Sequence, residues 1–160
     1  MLRRRAALLH ARRAMTAASQ RQLTPAAVRS GLLTLWPEQC DSVACAEISA
    51  RHAVVHQRVP SSALRPGGYI SGPSQFAMAD LGMWVAVWGV LDRVEPMALT
   101  SELSIRYVRP AIGQELWARV EVSAVSRRSV VSTAVLWTDE SDVARPCSIA
   151  QGTYVLPRVG

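Results

Sequence analysis

Residues 66–91 read PGGYISGPSQFAMADLGMWVAVWGVL, a stretch of 26 residues with one charge, Asp80. Gly72-Pro73 opens its apolar part, and proline suits a first helical turn, where its missing N–H is not needed. From Phe76 to Leu91 every residue but Asp80 is apolar or glycine. A helix that is apolar nearly all round must be buried, and this one is read as a core helix rather than a membrane span.

On either side of this stretch the period changes. Upstream, Thr24-Pro25 followed by Val28, Leu32, Leu33 and Trp36 predicts a capped amphipathic helix ended by Pro37. Residues 42–59 alternate Val and Ile with polar residues and predict two strands turning near Ala50-Arg51; residues 60–68 have loop chemistry. Downstream the period is two. Leu99, Ser101, Leu103, Ile105 and Tyr107 alternate with Thr100, Glu102, Ser104 and Arg106. Three further strands are predicted near residues 115–124, 130–138 and 147–156, with a turn at Arg127-Arg128. Short connections favour antiparallel pairing. Helix, two strands, one long buried helix and four strands make an α+β domain, an antiparallel sheet wrapped around one central helix.

Charge and cysteine bound the function. The chain has 18 basic residues, all Arg, and a net charge of +6. Seven of those Arg precede the first acid, Glu38; from there on 11 Arg face 12 acids, so the body carries −1. The basic excess belongs to an Arg-rich, flexible N-terminal extension over residues 1–23, either transit-like or preceding an alternative start at Met15. It gives a nucleic-acid role little support, and neither nucleic acid nor membrane is expected as a partner. Cys40, Cys45 and Cys147 lack metal-ligand spacing, so no metal is expected, and thiols of this kind suit a reducing, cytoplasmic compartment. The absence of Lys and Asn suits a GC-rich, bacterial genome.

Asp80 is the residue to explain. A carboxylate in a buried helix costs several kcal/mol unless compensated. It is either a structural acid bonded to a neighbouring strand or a working one. Gly72 lies eight residues earlier, where the loop enters the helix and free N–H groups backed by the helix dipole can polarise a carbonyl. Pro73 has no N–H, which leaves Gly72 and the residues from Ser74 onward as donors. The separation of that oxyanion site from Asp80 suggests a composite site completed by a second chain. Ser74 suits a helix cap better than a nucleophile. Arg127 and Arg128 suit phosphate contacts or a solvated turn. Trp84 and Trp88 suit core packing, and His52 and His56 the surface or an interface.

Taken in order, Ser71-Gly72-Pro73, six residues, Asp80, the segment TSELSIRYVRP at 100–110 and Arg127-Arg128 resemble the pattern of hotdog-fold acyl-CoA thioesterases of the phenylacetate-degradation, PaaI-like type. That pattern runs H-G-G, six residues, an Asp in a long helix, then T-x-x-L-x-x-x-[FY]-x-R-P and a G-R-R hairpin. The resemblance spans residues 24–156, within a hotdog domain placed at 24–160. It implies hydrolysis of an acyl-CoA with no cofactor beyond the coenzyme A of the substrate. It also implies a homo-oligomer, dimer or tetramer, with sites at the subunit interface. Asp80 would activate water or attack the thioester directly, the Gly72 N–H would polarise the carbonyl, and Thr100 would hold the water. Arg65 falls where some members carry an Asn near the thioester, and Ser71 takes the place of the His. Ser71 and Pro73 depart from H-G-G, and some hotdog proteins bind acyl-CoA without turnover.

Overall fold

The computed structural model describes residues 23–139 and 144–158. The expected extension over residues 1–23 lies outside the described residues except for Leu23, which is buried and whose N–H donates to Asp92 Oδ1 at 3.1 Å.

Helix α1 (Pro25–Leu35) starts as the residues predict: Thr24 is the N-cap, its hydroxyl accepting from the Ala27 N–H, with Pro25 in the first turn. Pro37 ends that helix and opens a second, α2 (Pro37–Cys40). Strands β1 (Val43–Ile48) and β2 (His52–Arg58) turn where expected. The segment read as loop holds more structure: a 3-10 turn at Ser61–Ala63, then β3 (Leu64–Arg65) paired with β4 (Tyr69–Ile70). Its physical reason is Gly67 and Gly68, both at positive φ (90° and 76°), which close a tight hairpin.

The long helix α3 (Gly72–Leu91) is followed by β5 (Leu99–Tyr107), β6 (Glu115–Val125), β7 (Ser129–Trp137) and β8 (Ser148–Val155). One antiparallel sheet in the order β1-β2-β6-β7-β8-β5 wraps α3. Its inner face, including Val55, Ala118, Val120, Ala134 and Ala150, closes on Met83, Val87 and Trp88 of the helix. Helix α1 adds Val28 and Leu32 to the same core. α3 has the length and hydropathy of a membrane span, but here its apolar surface is packed inside the sheet. One stripe of it stays open. Ala77 is exposed, and Asp80, Leu81 and Trp84 are half-buried, at the helical spacing of a single face.

Candidate active site

That stripe forms one wall of a cleft of about 410 Å³, closed by α1 and α2 through Trp36, Gln39 and Cys40 and by Ala98, Leu99 and Thr100 at the start of β5. The cleft is mostly apolar, and among the described residues Asp80 is its only charged side chain. Thr100 Oγ1 donates to Asp80 Oδ1 at 2.8 Å, and the Tyr154 hydroxyl reaches the same oxygen at 2.7 Å and the Asp80 main-chain oxygen at 2.9 Å. Both donors meet Oδ1; Oδ2 has no hydrogen bond among the described residues. Burial, reinforced by the adjacent Asp80 and opposed by a bond from Thr100, pushes the Tyr154 phenol well above its ordinary value.

Thr100 comes inward against the strict alternation read from the sequence. The register runs Thr100↔Tyr154 and then Glu102↔Thr153, so Ser101 is an extra residue in β5. A bulge of this kind reverses the side-chain phase, which turns Thr100 toward Asp80 and leaves Leu99 65% exposed.

The start of α3 is a separate cluster. The N-cap is Ser71, not Ser74: its Oγ accepts from the Ser74 N–H at 3.3 Å and pairs with Ser74 Oγ at 2.7 Å. The Gln75 N–H bonds the Ser71 carbonyl. With Pro73 lacking a donor, the Gly72 N–H is the one in this turn without an acceptor among the described residues. Tyr107 on β5 donates to the Gly72 carbonyl at 2.9 Å, and a Cβ at Gly72 would lie 3.1 Å from that hydroxyl. Arg65 stands on the small hairpin, outside the cleft.

Arg127 and Arg128 lie with Arg158 and Pro157 around a surface hollow of about 600 Å³. Leu156 N–H bonds the Arg128 carbonyl, and Val155 pairs with both Leu99 and Ser129, so the basic hollow sits at the end of the sheet where Leu99 enters the cleft wall.

The structure thus brings Thr100 to Asp80 and keeps Gly72, Ser71 and Ser74 together elsewhere. Tyr154, Tyr107 and Arg158 went unread in the sequence. A signal for Tyr154 existed: the inward positions of β8 are otherwise the small Ser148, Ala150 and Gly152, and a buried tyrosine hydroxyl needs a partner. Trp88 is a core residue as expected, but Trp84 reaches the cleft; both indoles donate to the Glu95 carbonyl. His52 and His56 do have acidic neighbours, Glu47 at 3.1 Å and Glu115 at 3.7 Å, and His56 stacks on Trp117. Neither lines the cleft. Among the described residues no group of three or more His, Cys, Asp or Glu could hold a metal ion.

Residues 67–144 match the family model described as thioesterase superfamily. Solved structures share the fold. A candidate thioesterase from a Silicibacter species superposes with a TM-score of 0.75 at 23% identity, covering 85% of this chain and 93% of that one. Zebrafish thioesterase superfamily member 2 gives 0.72 at 18% identity, covering 84% and 99%. A point variant of the phenylacetic acid degradation protein PaaI from Thermus thermophilus gives 0.60 at 19% identity, covering 79% and 97%. No curated protein matches the chain in sequence.

Proposed function

Because this chain has the hotdog fold and its residues 67–144 match the thioesterase-superfamily model, we propose that it hydrolyses an acyl-CoA to the free acid and CoA. The observation that carries this reading is Asp80, among the described residues the one charge lining an apolar cleft, with one oxygen anchored and no described residue bonded to the other. An apolar acyl group lies against Leu81 and Trp84, and the thioester carbonyl comes to Asp80. Asp80 takes a proton from water as the water oxygen attacks that carbonyl. The oxyanion is held by the Gly72 N–H, and collapse expels the CoA sulfur, which takes up the proton. Direct attack by the carboxylate, giving a mixed anhydride that water then cleaves, uses the same groups. Thr100 acts on Asp80 rather than on the water alone. Ser71 and Ser74 brace the turn that presents Gly72. Arg127 and Arg128, joined by Arg158, suit the CoA phosphates as guanidinium forks, and Arg65, on the hairpin that leads into α3, is kept as a substrate contact from the resemblance alone.

Gly72 and Asp80 lie eight residues apart on one helix, about 12 Å at 1.5 Å per residue, too far to share one carbonyl. A homo-oligomer removes the difficulty. β5 is a sheet edge, with Thr100 beside Asp80 near one end and Tyr107 holding Gly72 at the other. Two β5 strands paired antiparallel about a two-fold axis lay the Thr100 end of one copy along the Tyr107 end of the other. One copy's Gly72 is thereby carried toward the other's Asp80. The thiols of Cys40 and Cys45 suit the cytoplasm as the compartment.

Purified protein should release free thiol from some member of an acyl-CoA panel, and Asp80→Asn should abolish release with the fold intact. Full activity in Asp80→Asn would sink the mechanism. The second reading, an acyl-CoA-binding protein without turnover, draws on Ser71 and Pro73 in place of the family's His and Gly. It predicts saturable binding and no thiol release for any acyl group.

A further inference from the structure

We propose that Tyr154 is a positioning residue: with Thr100 it pins Oδ1 of Asp80, so that Oδ2 is the oxygen presented to substrate. For its kinetic consequence this rests on the thioesterase reading above; the geometry stands apart from it. Two hydroxyls, from β5 and β8, meet one carboxylate oxygen at 2.8 and 2.7 Å. The single phenol proton is shared between that oxygen and the main-chain oxygen of the same residue, at 2.9 Å, so the phenol ties the side chain to the helix backbone that carries it. A carboxylate held at one oxygen keeps a fixed rotamer, with the lone pairs of the other free.

Three features support a positioning role for the hydroxyl beyond the packing of the ring. Tyr154 is only 4% exposed, and phenylalanine would fill the same space without burying a polar group. Burial keeps the phenol protonated, so it never competes with Asp80 for charge. The bulge at Ser101 interrupts β5 at the point that brings Thr100 opposite Tyr154. Without that extra residue the threonine would face the outer surface of the sheet and Oδ1 would lose one of its two donors.

The test is Tyr154→Phe beside wild type, with Thr100→Val as the partner variant. Donors to a carboxylate favour its ionised form, so losing one shifts the acid limb of the pH–rate profile to higher pH. We expect kcat to fall roughly tenfold with KM within about twofold, and the loss to deepen in the double variant. Carbon-13 titration of the Asp80 carboxyl, identified by its loss in Asp80→Asn, provides a readout that needs no turnover. Its midpoint should rise in Tyr154→Phe. An unmoved midpoint with wild-type kcat overturns the proposal, and so does a rise in KM alone. If wild type turns over no acyl-CoA, the thioesterase reading fails, and the carboxyl titration still decides for or against Tyr154.

Discussion

Tyr154 is buried and Cys45 half-buried, each with a proton to keep, and that couples stability to alkaline pH. Burial raises the Cys45 thiol from 9.0 to about 11, a main-chain hydrogen bond of Glu47 partly opposing it and the Glu47 charge reinforcing it. Tyr154 is raised above its ordinary 10.0 in the same sense. In both, the folded value exceeds the unfolded one. Their contribution is therefore complete below pH 9 and is lost as pH rises, since the unfolded chain gives up protons the folded chain retains. Urea unfolding at several pH values from 8 to 11 should show stability falling from about pH 9, in line with the Cys45 values. Cys45→Ala should flatten the first part of that fall and Tyr154→Phe the part above pH 10. A flat profile in wild type would contradict the assignment.

Within α3, the glycines mark where the helix meets the sheet. A Cβ at Gly89 would overlap the main-chain oxygen of Ser49 in the β1–β2 turn, whereas at Gly82 it would meet side-chain methyls, those of Val120 and Val55 at 3.0 and 3.3 Å and of Ala118 at 3.6 Å. Alanine gains about 1 kcal/mol of helix propensity over glycine at either site. Backbone cannot yield as a methyl can, so Gly89→Ala should destabilise by roughly 1–3 kcal/mol while Gly82→Ala stays closer to neutral. Denaturant midpoints at unchanged m-value would measure both. Legibility divides along the same line. The cap at Thr24 and the length of α3 follow from neighbours in sequence. The β3–β4 hairpin was hidden because two-residue strands are too short to show a period, and the Ser101 bulge because alternation looks unbroken until a partner strand supplies the register.

For the whole molecule, the proposed sharing of Gly72 and Asp80 between two copies predicts complementation between two inactive chains. Gly72→Pro removes the N–H at a first-turn position that tolerates proline, and Asp80→Asn removes the base. Each variant alone should be inactive. Refolded together in equal amounts, half the dimers are mixed and each has one intact site, so roughly a quarter of wild-type activity should return. No recovery in a mixture shown to exchange subunits would argue that each site is built within one chain.

Local chemistry was enough for the α+β order, the buried helix, its single charge and the glycine at its start, because capping, period and the cost of a buried carboxylate act between near neighbours. What surrounds Asp80 was settled only in three dimensions. Its two hydroxyl partners lie 20 and 74 residues away, delivered by an edge strand and the last strand of the sheet. Strand order and register decide which side chains meet, and a shift of one residue sends each to the opposite face. Alternation alone pointed Thr100 away from the helix; the bulge at Ser101 turned it back.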